Sequence, residues 1–430
     1  MSSSSRIGIA LSGGGYRATA FHLGTLKKLQ EMQILDKASV ISTISGGSIT
    51  GAYYCLNKDD FDSFEKSLYS KLQTKNVIRK VLLSWTTFQA ALFVLGFPAL
   101  TLYFLFSGKP WLVLGALVLF IILFLKFQFY IFPVSNRIEK IYDEFFYHGK
   151  SLGDLPDSPV LVVGSTNMQT ARPFIFSKNR MQDSTYQYMT PSISFKSDCF
   201  PVARAVMASS CVPGAFTPIH ISKKFFTNPE DANRVHPILV DGGVYDNQGI
   251  HKITQSGQYA CDTVITSDAG TGGSGEVKFS NAITLLSATV NLFMSRIKKS
   301  QMVQDVYNNA ATAQRQIAYL SLGWDVENCI PGFVRNLISG QITPAVIAAH
   351  ALKPEWVADP KQYEEVITDY LKARTGYASI DKPTDEEKKI ARGVGTNLTA
   401  LSKSQVDCLM KQAQALTEIQ IKLYCPLIVN

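Results

Sequence analysis

Two apolar segments, residues 82–106 and 111–132, stand together in the middle of the chain with only Ser107, Gly108, Lys109 and Pro110 between them. The first holds no charged residue and the second only Lys126. A helix that crosses a bilayer needs about 20 predominantly apolar residues, and each segment supplies that length once Lys126 reaches for the nearer interface. Pro98 predicts a kink in the first. Strand-like runs occur on both sides of the block, so the chain must leave and re-enter one compartment, either by spanning twice or as a re-entrant hairpin. A hairpin buried in a soluble core is the bland alternative, and so long a run without polar relief argues against it. Lys71, Lys75, Arg79, Lys80, Arg137 and Lys140 flank the block, whereas its turn carries Lys109 alone. By the positive-inside rule the main domain is expected on the cytoplasmic side of a membrane.

Composition points the same way. Apolar residues make up 46% of the 430 and charged ones 18%, with a mean hydropathy of +0.06, which places apolar mass outside an ordinary core. The net charge of +8 and pI of about 8.9 favour an anionic partner. The basic residues gather beside the apolar block and no nucleic-acid motif occurs, so an anionic membrane surface is expected and nucleic acid is not. Cys55, Cys199, Cys211, Cys261, Cys329, Cys408 and Cys425 show no CxxC spacing. They read as reduced structural thiols, neither a disulfide framework nor a zinc site, and no metal or cofactor is expected. The beginning, MSSSSRIGIALSGGG, lacks an apolar stretch ending at a small-residue cleavage site, so no cleaved secretory signal is expected. Nothing in the sequence speaks to oligomeric state.

Residues 40–51 read VISTISGGSITG, a β-branched run that breaks directly into serine and glycine and then into helix-forming residues. Such a strand, sharp turn and helix would lift Ser45 above the sheet edge. Its small neighbours let a carbonyl approach, and the helix N-terminus adds positive potential. Ser45 is the candidate nucleophile, and Ser48, one turn into the helix, is its rival. Residues 6–11 form a short apolar strand that enters Ser12, Gly13, Gly14, Gly15, Tyr16, Arg17 and Ala18, with an amphipathic helix predicted over 21–32. Uncrowded backbone N–H groups at a helix start make an anion site, serving either an oxyanion or a dinucleotide phosphate. The dinucleotide reading needs an acid at the end of the next strand, about 20 residues on. That strand ends in Thr43, Ile44 and Ser45, and Glu31 and Asp36 fall too early, so the oxyanion reading is the stronger.

Beyond the block, PVLVVGS at 159–165 is an apolar run of the kind buried in a parallel sheet. Short strands are predicted at 174–176 and 219–221, and a helix at 204–210. Residues 237–240 feed Asp241, Gly242 and Gly243, and 263–266 feed Ser267, Asp268, Ala269 and Gly270. Strand, loop and helix in alternation, with chemistry at the strand C-terminal ends, is the α/β pattern. From Ser280 onward the chain reads mainly helical. Val406, Leu409, Met410, Ala413 and Leu416 have helical spacing, with Ser404 and Asp407 as a capping start.

An acyl hydrolase needs a nucleophile, a proton acceptor and donors for the developing oxyanion. Ser45, Asp241 and the loop of Gly13, Gly14 and Gly15 supply one of each. GGGYR at 13–17, TISGG at 43–47 and DGGVYDN at 241–247, with SSCVPGAFTPI at 209–219 and SDAG at 267–270, resemble the patatin-like phospholipase family. That family's signatures are GGGxR, GxSxG and DGG or DGA, and the resemblance covers roughly 7–51 and 159–270. It implies a three-layer α/β fold with a mostly parallel central sheet. The catalytic domain would occupy 1–280, interrupted by the transmembrane hairpin at 82–132, which the family pattern does not account for. A helical C-terminal region over 281–430 would pack on it.

The implied activity is a serine acyl hydrolase of the phospholipase or lysophospholipase type, acting on carboxylic esters of membrane lipids through a Ser–Asp dyad. Ser45 attacks, Asp241 is the base, the amides of Gly13, Gly14 and Gly15 hold the oxyanion, and Arg17 steadies the loop or meets a substrate phosphate. Thr43 stands where the elbow usually has its first glycine, and Ala18 ends the loop where many members have glycine. A Ser-His-Asp triad would require His251, since His22 reads as a packed or surface residue. Asp268 reads as a structural acid and is the rival to Asp241. The alternative function is a membrane-anchored lipid-binding or scaffold protein that keeps the fold without turnover. The intact serine, aspartate and triple glycine favour the hydrolase.

Overall fold

The computed structural model describes residues 5–272 and 280–429. Five parallel strands form the heart of its sheet: β1 (Ile7–Leu11), β2 (Ala38–Ile44), β3 (Val160–Asn167), β8 (Thr263–Asp268) and β9 (Gln316–Ser321), in the order β3-β2-β1-β8-β9. The antiparallel strands β4 (Arg172–Ser177) and β5 (Arg180–Asp183) extend the β3 edge. A short antiparallel pair, β6 (Ile219–His220) and β7 (Ile238–Asp241), completes the sheet. β1 is buried at every residue and β2 at all but Ser39, which is why these strands read as unbroken apolar runs without alternation.

One edge of β3 serves two strands in succession. β2 runs parallel to it as far as the pair Ile44 and Gly164. β7 runs antiparallel to it from Asn167 and Leu239 to Ser165 and Asp241. β2 and β7 therefore approach each other end to end, and the residues that leave their tips are brought together.

The helix α1 (Gly15–Glu31) begins earlier than the periodicity predicts and is buried on most of its sides. The reason is a covering layer, the Lys403–Tyr424 helix, which approaches so closely that a Cβ at Gly24 would lie 2.5 Å from the Met410 carbonyl oxygen. Lys28 pairs with Glu418 across this contact at 3.2 Å. The covering helix is capped by Ser402 and Gln405 instead of Ser404 and Asp407: the Ser402 hydroxyl accepts from the Gln405 amide at 3.2 Å, and the Gln405 side chain accepts from the Ser402 amide at 2.9 Å. The expected boundary near 280 also needs correction. Residues 316–321 continue the sheet in parallel register with β8, so the C-terminal part of the chain completes the core as well as covering it.

The Trp85–Phe106 and Pro110–Ile131 helices pack on one another through Phe93, Phe97 and Phe120, with the Phe97 and Phe120 rings 5.0 Å apart. Away from that seam they are bare: Leu95 is 68% exposed, Phe106 85% and Tyr130 84%. The hairpin is thus not part of the core, and both helices are long and apolar enough to cross a membrane. At its foot Val81 and Val134 are buried, and the Ser135 hydroxyl donates to the Thr217 carbonyl at 2.5 Å. Some of the flanking cations are engaged internally. Lys71 donates to the Phe145 carbonyl at 2.6 Å, and Lys80 pairs with Glu144.

Candidate active site

Ser45 sits between β2 and the helix α2 (Gly46–Asn57) with φ 49° and ψ −117°, a backbone conformation that costs a non-glycine residue of order 1–3 kcal/mol. The surroundings enforce it. The Ser209 hydroxyl accepts from the Ser45 amide at 2.8 Å and donates to the Gly164 carbonyl at 2.6 Å, tying the elbow to β3. Gly47 donates to the Ser12 carbonyl at 3.0 Å, and a Cβ on it would overlap the Leu11 carbonyl oxygen. A Cβ on Gly46 would lie 2.7 Å from the Gly15 nitrogen. α2 therefore starts in backbone contact with the glycine loop, which requires glycine at both positions. The Ala18 methyl lies only 3.0 Å and 3.1 Å from the places a Cβ would take on Gly46 and Gly14, so alanine at 18 itself relies on glycine at both. Thr43 is accommodated as well, donating to the Val162 carbonyl at 3.4 Å and accepting from the Ser48 hydroxyl at 3.0 Å. Ser48 itself is fully buried, its hydroxyl held by Thr43 and by Ser209 at 3.0 Å.

Asp241 leaves the tip of β7 opposite. Its amide donates to the Cys211 carbonyl at 2.8 Å, and its Oδ1 accepts from the Gly243 amide at 2.7 Å. Burial pushes its carboxyl up to about 6, against the pull of the Gly243 amide and the Ser45 hydroxyl. No cation pairs with it among the described residues. Ser45 is 9% exposed and Asp241 2%, so both are closed over.

The glycine loop divides. Gly13 does not match the expectation: its N–H donates to the Asn247 carbonyl at 2.9 Å, while its Cα face lies against Ser45. The amide is taken because Asn247, on the loop after Asp241, crosses directly over it. Gly14 and Gly15 have φ of 141° and 59°, values that call for glycine. Their N–H groups find no protein acceptor among the described residues, and the same holds for Gly46 at the start of α2. Gly46 was not singled out from the sequence, although its place directly after the elbow serine is the signal that finds it. Arg17 lies beside Gly14 and donates to the Val394 carbonyl at 3.3 Å, close to Asn397, whose carbonyl receives the Tyr16 amide at 2.9 Å. It steadies the loop from behind.

No histidine bonds to either member of the pair among the described residues. His251 packs edge-on against the Tyr245 ring, and its amide donates to Asp246 at 2.8 Å. His22 is fully buried, with Nε2 2.9 Å from the Ser12 carbonyl and Nδ1 2.8 Å from the Ser267 hydroxyl. Burial pushes both imidazoles down to about 4, so both are neutral near pH 7. Asp268 is bound by Lys298, the Tyr319 hydroxyl at 2.8 Å, the Ser321 hydroxyl at 3.1 Å and the Gly270 amide at 3.0 Å. Burial alone would raise its pKa, but Lys298 and these donors outweigh it and hold the carboxyl below its usual value.

The Ala282–Gln301 helix lies over the Asp241 loop. The Met294 methyl would lie 2.9 Å from a Cβ on Gly243, and Gln301 donates to the Tyr245 carbonyl at 3.1 Å. Away from that contact it leaves Leu286 66%, Leu292 65% and Phe293 59% exposed.

The sequence matches the patatin-like phospholipase family over residues 9–252. No curated protein matches it. Among solved structures it is similar to VipD from Legionella pneumophila, with 14% identity and a TM-score of 0.33 over 100% of this chain and 92% of that one. It is also similar to human GIVD cytosolic phospholipase A2 in complex with methyl γ-linolenyl fluorophosphonate, with 12% identity and a TM-score of 0.46 over 98% of this chain. The chain spans 58% of that human protein. At these scores neither overlap carries an argument of its own.

Proposed function

The chain belongs to the patatin-like phospholipase family, and we propose that it is a membrane-anchored serine acyl hydrolase working through Ser45 and Asp241. The observation that supports this most directly is the end-to-end meeting of β2 and β7 on β3, which sets a strained serine against a buried carboxylate that has no counter-cation among the described residues. In this reading Asp241 accepts the hydroxyl proton as the Ser45 oxygen attacks an ester carbonyl. The amides of Gly14, Gly15 and Gly46 receive the oxyanion. The alcohol leaves with the proton from Asp241; a water that gives its proton to the same carboxylate then attacks the acyl carbonyl, and Asp241 returns that proton to the Ser45 oxygen as the carboxylic acid leaves. A base whose pKa is lifted to about 6 suits this work near neutrality.

The hairpin foot and the Asp241 loop share Cys211, whose Sγ is 3.7 Å from the Ser135 hydroxyl and whose carbonyl receives the Asp241 amide. The bare face of the Ala282–Gln301 helix flanks the same loop. Both features favour a site that opens toward the bilayer the hairpin enters, with a membrane lipid as substrate. The flanking cations favour the cytoplasmic leaflet.

A fluorophosphonate probe on the full chain in nanodiscs should label Ser45, and ester release should vanish with that label. Joining Lys80 to Arg137 by a short flexible linker should move the protein out of the carbonate-washed membrane pellet while it still cleaves dispersed esters. Labelling elsewhere rejects the nucleophile, and a deletion variant that still pellets rejects the anchor.

A further inference from the structure

A cavity of about 390 Å³ opens beyond the β9 edge of the sheet and includes neither Ser45 nor Asp241. Ile317 and Tyr319 of β9 form its floor. One wall is the Cys329–Ile338 helix, and the other is the Met302–Val306 turn that continues the Ala282–Gln301 helix. That turn is a π-helix, a form found often at functional sites.

Met302, Val306 and Ile317 supply apolar surface, and Trp324 and Tyr424 add aromatic rings; Asn328, Asn336 and Gln420 line it as well, Asn336 already donating to the Tyr424 hydroxyl at 2.9 Å. The cavity's acid, Asp325, is already taken by Arg392 at 2.6 Å. Arg335 stands at the mouth, exposed, with no acidic partner among the described residues. The charge left unmet is therefore that of Arg335, and the apolar side of the cavity can take a chain. Ligand cavities run from about 300 to 1,000 Å³, so this one, at the small end, suits a single chain and not a diacyl lipid.

We propose that this cavity binds a single-chain anionic amphiphile, a carboxylate or a phosphate monoester, and that its occupancy is relayed to the Asp241 loop. The Tyr319 hydroxyl donates to Asp268 at 2.8 Å and accepts from Gln248 at 2.5 Å. Gln248 follows Asn247, whose carbonyl holds the Gly13 amide. On the other wall, Met302 follows the helix whose Lys298 grips Asp268 and whose Gln301 holds Tyr245. A ligand touching Tyr319 and Met302 bears on both supports of the loop. The binding claim stands without the proposed activity, and only the purpose of the relay rests on it.

The test uses full-length Ser45→Ala protein, which generates no product of its own, with terminally brominated decanoate as quencher of Trp324. Quenching should saturate, and Trp324→Phe should remove that component. Gly332→Leu should abolish it by filling the space, since a Cβ there meets only the Arg335 guanidinium at 3.8 Å. Arg335→Gln should weaken binding roughly ten- to a hundredfold, the worth of a charge-assisted hydrogen bond. Decanoate against decyl phosphate as competitor distinguishes a fatty acid from a phosphate source. Decanol competing as well as either overturns the anionic assignment, as does linear quenching that Gly332→Leu leaves intact. Should Gly332→Leu not fold, the Arg335→Gln and decanol arms decide alone. Amide exchange over 243–249 should slow with decanoate bound, and unchanged exchange overturns the relay.

Discussion

Asp241 and Asp268 occupy equivalent places and have opposite fates. Each is the last residue of a buried strand and each enters small residues, DGG in one case and DAG in the other. Asp268 is given a lysine, two hydroxyls and an amide, and its charge is locked in. Asp241 is given one amide and a serine, and burial leaves its carboxylate hungry for a proton. The same strand-end position yields a support when the charge is fully met and, in the proposed mechanism, a base when it is not.

The sharpest way to break this comparison is to remove the reactive half. Ser45→Ala and Asp241→Asn should each lower turnover on the order of 10⁴-fold or more, measured as ester release with the melting transition retained. Asp241→Asn should in addition be more stable near neutral pH. Its folded pKa lies above the unfolded value, so its favourable contribution, present in acid, is lost as pH rises through about 6. At roughly 1.4 kcal/mol per unit the gain is about 2–3 kcal/mol, readable by urea unfolding.

The opposite outcome is expected at the other acid. Asp268→Asn should destabilise by about 3–5 kcal/mol, because Lys298 is left without its buried partner. Here the sign reverses: the wild-type contribution is present above the ordinary carboxylate range and is lost as pH falls through the lowered folded value. Stability that rises in Asp268→Asn, or falls in Asp241→Asn, would erase the distinction.

Gly14→Ala should cost roughly 10²- to 10³-fold in turnover by displacing an oxyanion donor, and a change confined to KM would make the loop a binding element only. The smallest effect is the pH profile. The acid limb of kcat/KM should bend near pH 6, about tenfold per unit below it, and His251→Ala should leave that limb in place. A limb that moves with His251 would restore the triad.

That Ser45, Asp241, Gly14 and Gly15 stand at strand ends was legible, because a β-branched run that stops at small polar residues marks a strand and the turn that follows it. The commitment of Gly13 to Asn247 was not, since two loops more than two hundred positions apart decide it. Ser209 belongs to a stretch quoted for the family resemblance, yet nothing local says that its hydroxyl would bridge Ser45 and Gly164. Lys298 reads as one of several cations near a helix end, and only packing selects it for Asp268. β9 was missed because QIAYLS is short, lies among helices and gains its strand identity from β8. The covering of α1 was equally hidden, as its partner helix begins at Lys403.

Because β2 and β7 both take their register from β3, that strand is a ruler for the dyad. One residue added between Gly164 and Ser165 would part Ser45 from Asp241 by about 3.3 Å and turn later side chains to the other face. Between β2 and β3, by contrast, the chain carries a hairpin of two 22-residue helices, and the pairing from Val40 with Val160 to Ile44 with Gly164 is undisturbed. Length is tolerated where it lies off the ruler, so a sheet of this design can carry a long insertion at that junction but cannot lengthen β3 by a single step.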